Sequence, residues 1–430
     1  MSAQVGVRHV GDSGPAATRH AIASGNVDLD AFSEILTPRG QRALGEAVEA
    51  LAGGGDPVAV ASRLRRTYDA PMTSAALTQA RLRARAAVKF GPDAARMYFT
   101  PNGLEQATRA EVAAHRARRF RPGTRVVDAC CGIGGDLIAL ARAGCEVDAV
   151  DLDPLTVAVA RANAVALDLG DRVTVRAADA AGIDPEGYDV LFADPGRRSG
   201  GRRVFDPMAY SPTWPVVLGL VARAPAACLK VAPGIPYELI PPAAEAEWVS
   251  YRGEVKEAVL WTGDLATVTG GAGSDGDRSA GDPGRRATML PSGETLTPDP
   301  SLGPAGHGPV ARYLYEPDGA AIRSHLVAEV AALVNGHLLD PRIAYITGDT
   351  PEVTPWASRY EVLETLPFSL KRLRVALRER RIGAVTLKKR GSALDLEQLR
   401  KDLRLSGDKS CVVALTRIGE RPFALICDPA

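Results

Sequence analysis

The order of apolar and polar positions divides the chain into three patterned regions. Between residues 28 and 88, apolar side chains return at helical spacing: Phe32, Ile35 and Leu36, then Leu44, Val48 and Leu51. A Gly53-Gly54-Gly55 break follows, and Asp56-Pro57 reads as the cap and first turn of the next helix. Another Ala/Arg-rich helix is expected over 77–88. The span 27–90 is therefore a small helical domain. The leader before it, 1–26, mixes Gly, Ser, Ala and Arg without periodicity and is expected to be disordered.

From about residue 91 the period changes. Short Val/Ala-rich runs alternate with helical stretches, the pattern of a parallel sheet with crossover helices. Strands are expected at 125–129, 146–150, 173–176, 190–193, 227–231, 248–251 and 255–261. No helix separates the last two, so they are expected to form an antiparallel pair at one edge of the sheet. The stretch 267–283 is rich in Gly, Asp and Ser and reads as a loop or linker, and 286–290 as one more strand. An α/β, Rossmann-like domain thus spans 91–296, and 297–311 is a linker. The last domain, 312–430, is expected to be α+β. It carries an amphipathic helix at 321–334, a basic helix at 369–380, a strand at 384–388, a helix at 396–403 and strands at 411–416 and 423–427.

Composition narrows the class. A length of 430 residues suits two or three domains. Hydrophobics at 46% and charges at 24% exclude collagen-like, coiled-coil and wholly disordered chains. No run approaches the roughly 18 apolar residues of a membrane span, and the N-terminus lacks an apolar signal core. Six cysteines form no C-x-x-C pair and the six histidines are scattered, so no metal site is expected. Free thiols point to a reducing cytoplasm. The basic residues are 44 Arg and 8 Lys. Codon usage accounts for that total, so only local clustering argues for a partner.

The informative segment runs from Val126 to Asp136, as Val-Val-Asp-Ala-Cys-Cys-Gly-Ile-Gly-Gly-Asp. A hydrophobic strand enters a glycine-rich turn, and a helix opens at Asp136. Such a turn brings backbone N–H groups close to a ligand. A dinucleotide fingerprint needs a third glycine where Leu137 stands. Asp128 suits a cationic, amine-bearing ligand instead, such as the methionine portion of S-adenosylmethionine. Asp151 lies 17 residues beyond Gly134, where a ribose-binding acid belongs. Asp153 and Pro154 cap and begin the next helix, 155–167. Asp179, past the third strand, can accept from an adenine amine. Taken singly, Asp151 also reads as a helix-start cap and Gly134-Gly135 as a tight turn.

In order, these features resemble the class I S-adenosylmethionine-dependent methyltransferases, over about residues 99–290. The set is the glycine turn, the second-strand acid, the third-strand acid and a fourth-strand Asp-Pro. The resemblance implies cofactor contacts from Asp128, Cys130, Gly132, Gly134, Gly135, Asp151 and Asp179. More narrowly, residues 128–136 resemble the trimethylguanosine synthase group of RNA methyltransferases, which also carries an aromatic-x-Thr-Pro stretch upstream. Tyr98-Phe99-Thr100-Pro101 is similar to it, and Thr100 joins the implied cofactor contacts.

After the fourth strand come Asp194-Pro195-Gly196-Arg197-Arg198. Amine-methylating members of this class place Asn/Asp/Ser-Pro-Pro and an aromatic there. Asp194 and Pro195 match and are the implied catalytic residues, with a base nitrogen as target. Gly196 and Arg197 depart, so the stacking aromatic is missing. Arg197 and Arg198, with Arg202 and Arg203, suit substrate phosphates or form a solvated charge run. Trp214 is a candidate to stack on a base, with core packing as the alternative. Lys230 either reaches this site or serves the structure.

The tail concentrates charge. Residues 371–404 hold twelve basic side chains against four acidic ones, a local balance of +8 in a chain of net +1. That is the electrostatic footprint of a nucleic-acid partner. The segment from Thr386 to Gly391, with the strand at 411–416, resembles bacterial methyltransferases bearing a THUMP-like C-terminal domain. The resemblance implies an RNA substrate, held in part by Lys388, Lys389 and Arg390. Tyr345, Trp356, Tyr360 and Phe368 lie outside the patch in sequence. The leading expectation is an RNA methyltransferase. The alternatives are a small-molecule or protein methyltransferase, and a non-catalytic RNA-binding protein on the same fold.

Overall fold

Helix caps mark out the N-terminal region. A computed structural model describes residues 28–196, 198–199, 202–203, 207–267 and 283–429. The expected leader and most of the 267–283 stretch lie outside them. The chain divides into two compact units between Arg81 and Leu82. The first contains α1 (Leu29–Leu36), α2 (Pro38–Ala52), α3 (Pro57–Leu64) and the start of α4 (Ala70–Phe90). Asp28, Thr37 and Asp56 each accept from a backbone N–H three residues on and cap the first three helices. Phe32, Ile35, Leu44 and Leu64 are buried. Gly40 meets α1 closely, for a Cβ there would sit 2.1 Å from the Glu34 carbonyl oxygen. Helix α4 starts at Ala70, ahead of the expected 77. Pro71 is tolerated in a first turn, while Thr73 and Ser74 mask the pattern that buried Met72, Ala75 and Ala76 continue.

The second unit opens with α5 (Pro101–Gln106) and α6 (Ala110–Ala117). The strands that follow are β1 (Arg125–Asp128), β2 (Glu146–Asp151), β3 (Val173–Ala177), β4 (Val190–Ala193), the short pair β5 (Arg198–Ser199) and β6 (Arg202–Arg203), then β7 (Ala227–Val231), β8 (Glu245–Tyr251), β9 (Glu254–Thr262), β10 (Gly284–Leu290) and β11 (Glu294–Leu296). Helices α7 (Gly135–Arg142), α8 (Pro154–Ala166) and α9 (Trp214–Val221) connect them. Nine strands form one sheet in the order β11-β10-β8-β9-β7-β4-β1-β2-β3. The run β7-β4-β1-β2-β3 is parallel. Strand order reverses at β1, so the carboxyl ends of β1 and β4 open the crevice where such sheets bind ligands.

Strands β8 and β9 are antiparallel, as their spacing predicts, but they are not an edge. β10 adds parallel to β8, and β11 lies beyond it. The reason is visible in β8, all seven residues of which are buried. The strand also begins at Glu245, ahead of the expected 248, because Glu245 and Glu247 break the apolar run. Both are fully buried and held by Arg119, with Arg286 on Glu245 and His115 on Glu247.

A second sheet of seven strands fills the C-terminal part. It contains β12 (Tyr313–Pro317), β13 (His337–Asp340), β14 (Ile343–Gly348), β15 (Ala357–Pro367), β16 (Ile382–Lys389), β17 (Lys409–Ile418) and β18 (Arg421–Pro429). Their order is β13-β14-β12-β15-β18-β17-β16. Helices α10 (Gly319–Arg323), α11 (Val327–Leu333), α12 (Leu370–Glu379) and α13 (Leu396–Leu403) pack around it. The sequence reading does not anticipate β12 to β15. In β15, Arg359, Glu361 and Glu364 interrupt the apolar positions and hide the alternation. The single helix expected at 321–334 is broken in two. His325 takes a left-handed φ of 56°, and the Ser324 hydroxyl donates to the Ala320 carbonyl at 2.8 Å. Among the described residues no helix is long and apolar enough to cross a membrane.

Candidate functional site

The crevice is built from strand ends. Asp128 closes β1, and its carboxylate is fully buried. One oxygen accepts from the Cys130 backbone N–H at 3.1 Å, while the other has no partner among the described residues. Burial pushes the Asp128 pKa well above the carboxylate range. The Cys130 N–H opposes that shift, and Asp136, Asp194 and Asp151 add to it. A buried acid with an orphaned oxygen is a fitting seat for a cation.

Behind Asp128 the turn folds on glycine. Gly132 and Gly134 take φ of 53° and 89°, which only glycine adopts without strain. Gly134 is the N-cap of α7 and brings no side chain to it, so the first N–H groups face outward for a ligand. Gly135 begins the helix, one residue before the expected start. Asp151, ending β2, accepts from the Gly132 N–H and the Asp153 N–H, each at 3.0 Å. It therefore shapes the glycine turn, while Asp153 is the residue that caps α8. Burial raises the Asp151 pKa against those two hydrogen bonds. Asp179 lies beyond β3, next to Ala178, whose N–H donates to the Asp151 carbonyl at 3.1 Å. Its own side chain accepts from Ala181 at 2.9 Å.

Thr100 caps α5 by accepting from Gly103 at 3.0 Å. That turn packs on the glycine loop, since a Cβ on Gly103 would stand 2.3 Å from the Ile133 side chain. Buried Asn163 ties the two together, bonding both backbone groups of Tyr98 and the Ile133 carbonyl. Burial pushes the Cys130 and Cys131 thiols well up, which keeps both neutral.

Asp194 follows β4; the side chains of the arginines in its own loop lie outside the described residues. Its partner is Lys230 of β7, which is 4% exposed. The Lys230 ammonium also donates to the Thr108 hydroxyl at 2.6 Å and lies 3.6 Å from Asp136. Thr108 in turn donates to Asp136 at 2.8 Å. Asp136 pairs with Arg116 of α6, which reaches on to Glu257 of β9. Burial opposes charge on Lys230, but Asp194 and Asp136 outweigh it and raise its pKa. Burial likewise disfavours ionised Asp136, yet Arg116 and Lys230 hold its pKa down. At Glu257 burial prevails over Arg116 and the pKa rises. Thr108, Arg116 and Glu257 escape sequence reading. The available signal was Lys230, because a lysine inside a wholly apolar strand must find a counter-charge.

Other expected contacts fall elsewhere. Pro195 is buried, and Gly196 pairs with Ser211 through two backbone hydrogen bonds that close the loop base. Arg197 lies outside the described residues, and only the backbone of Arg198 is described. Trp214 is 2% exposed and packs in the core with Val217 and Leu220, which removes it from any stack with a base. Lys388 and Arg390 are drawn to Glu316, an acid far outside the 371–404 window. They also lie over the Tyr360 and Tyr345 rings, each at 5.6 Å. Those rings thus adjoin the patch in space, though they are buried. Lys389 donates to the Leu394 carbonyl at 2.9 Å.

Comparison with known proteins finds matches over each part of the chain. Residues 126–194 match the family described as Methyltransferase domain, residues 357–429 the family THUMP domain-like, and residues 28–86 a domain of unknown function (DUF8688). Two Mycobacterium tuberculosis proteins are 38% identical over 362 residues, covering 81% of this chain and 95% of each relative. They are MT3122 of strain CDC 1551 / Oshkosh and Rv3037c of strain H37Rv, both named as uncharacterized S-adenosylmethionine-dependent methyltransferases. A Porphyromonas gingivalis W83 crystal structure assigned to the methyltransferases shares the fold at a TM-score of 0.67 and 21% identity, over 85% of this chain and 92% of that one. The chain belongs to the S-adenosylmethionine-dependent methyltransferases, and it is an enzyme of that class.

Proposed function

We propose that the chain methylates RNA at a base nitrogen, with Asp194 orienting the acceptor. The observation that carries the reading is the ion pair of Asp194 and buried Lys230, set at the mouth of the crevice that Asp128 and the glycine turn form. Asp128, Cys130, Gly132, Gly134, Gly135, Asp151, Asp179 and Thr100 are the residues that would hold the cofactor. The unpartnered Asp128 oxygen suits its ammonium, and Asp151 retains lone pairs for ribose hydroxyls. S-adenosylmethionine supplies a methyl group on a sulfonium, already a good leaving group. The protein's part is therefore alignment. Asp194 accepts a hydrogen bond from the target N–H and turns the nitrogen lone pair toward the methyl carbon. As the N–C bond forms, the methyl C–S bond would break with its electron pair going to sulfur, which leaves as the neutral thioether, and the nitrogen would pass its proton along that hydrogen bond to Asp194. Lys230, itself held by Thr108 and Asp136, fixes the Asp194 carboxylate in place, and Pro195 stiffens its backbone.

The THUMP domain-like match over 357–429 supports RNA as the acceptor. All six cysteines are free, which supports work in a reducing cytoplasm. Incubation with methyl-labelled S-adenosylmethionine and cellular RNA tests the reading. Label is expected in RNA. Asp194→Ala is expected to lower turnover by at least ~100-fold while calorimetry still detects cofactor binding. Label confined to protein or to small metabolites overturns it in favour of those substrates.

A further inference from the structure

Four arginines of the tail line a space that Lys388 and Arg390 do not reach. A cavity of about 330 Å³ lies between the ends of α12 and α13, lined by Arg374, Arg378, Arg381 and Arg404, with Asp408 as its one acid. That volume is at the small end of ligand sites, ~300–1,000 Å³. Arg381 pairs with Asp408 at 2.7 Å, and Arg374 Nε donates to the Asp402 carbonyl at 2.6 Å. Among the described residues, the side chains of Arg378 and Arg404 make no hydrogen bond or ion pair. Four guanidiniums against one carboxylate leave a surplus of three positive charges. Two helix C-termini face the same space, each worth roughly −0.5 charge. The cationic surplus therefore survives at about two.

The floor of the cavity is rigid. Arg381 and Arg404 both take left-handed backbone, with φ of 58° and 47°, and each aims its side chain from just past a helix end. The Lys409 N–H donates to the Arg381 carbonyl at 3.0 Å. A Cβ on Gly407 would fall 1.8 Å from that carbonyl oxygen, and one on Gly383 would fall 1.9 Å from the Gly407 oxygen. Backbone meets backbone there, which holds the positions of Arg381 and the 404–408 loop close together. Buried Ile382 and Leu403 complete the base.

The geometry points to this cavity as a seat for one phosphate of the RNA strand, with Arg378 and Arg404 as its primary clamp. Planar guanidiniums suit phosphate oxygens in bidentate pairs. Phosphate contacts fix register without reading sequence. The inference rests on the RNA reading above and gives it a docking point distinct from the methyl-transfer crevice.

The test uses the full chain and two fluorescein-labelled RNAs, a polyuridylate strand and a stable hairpin, titrated at several salt concentrations. Arg378→Gln combined with Arg404→Asn is expected to weaken binding about ten- to hundred-fold. It is also expected to lower the salt slope by roughly one. Asn tolerates the left-handed backbone at 404. An unchanged unfolding midpoint and cofactor affinity show that the variant is folded, and Arg378→Glu alone is expected to weaken binding in the same direction. Unaltered affinity and slope in the double variant overturn the cavity and leave the RNA reading intact. Failure of the unaltered chain to bind either RNA overturns the RNA reading itself. If inorganic phosphate binds in calorimetry while RNA affinity is unchanged in the variant, the cavity serves a free anion and the proposal falls.

Discussion

Two concentrations of charge behave in opposite ways. Around Lys230 and Arg116 the charged groups are joined to one another, from half-buried Asp194 through buried Asp136 to buried Glu257. Around Arg378 and Arg404, the charges are exposed and largely unspent. A buried ion gives up hydration and must recover it from fixed partners, so such a network becomes part of the framework. A surface cation keeps its hydration and costs little to leave unpaired, so it stays available to a ligand. The same residue types therefore act as scaffold in one region and as recognition surface in the other.

The largest way to break this contrast is Arg116→Met. It strips buried Glu257 of its ion pair, leaves Asp136 with only Lys230 and Thr108, and is expected to cost about 3–5 kcal/mol, read from urea unfolding. A loss no greater than that of a surface ion pair, about 1 kcal/mol, would show that the network is not framework.

Asp128 sharpens the comparison, since it is buried with one oxygen unpaired. Burial raises its pKa, so the folded state holds its proton more tightly than the unfolded one. Its contribution is present at acid pH and is lost as pH climbs through the raised value. Asp128→Asn is therefore expected to stabilise the cofactor-free protein near neutrality by about 1–3 kcal/mol, with the gain vanishing in acid. The same substitution is expected to weaken S-adenosylmethionine about ten- to hundred-fold. Equal cofactor affinity in the variant would separate Asp128 from the ligand.

The smallest effect is expected at Arg381→Gln. The Arg381–Asp408 pair is 70% and 61% exposed, so its loss should cost under about 1 kcal/mol of stability. A larger shift in a denaturation curve would place this surface with the framework after all.

Much of the fold follows from local pattern. The strands at 190–193 and 227–231, the α13 helix and the Asp56-Pro57 cap all sit where periodicity puts them. What escaped is conditional on distant partners. β8 extends back past the expected 248 because its glutamates find Arg119, Arg286 and His115 only in three dimensions. The tail's balance of +8 counts neighbours in sequence, whereas Glu316, Glu364 and Asp408 arrive from outside the window to meet Lys388, Arg380 and Arg381.

The sequence by itself determined the order of the chemistry: an acid and a glycine turn after one strand, an acid after the next, an Asp-Pro after the fourth. Each is a short-range arrangement, because a strand end and its turn are encoded within a few residues. Only the tertiary structure decided which charges hold one another. Lys230 reaches Asp194 across 36 positions, and Arg116 reaches Glu257 across 141. Pairing at such separations depends on which strands lie side by side, and desolvation rather than sequence proximity selects the partner.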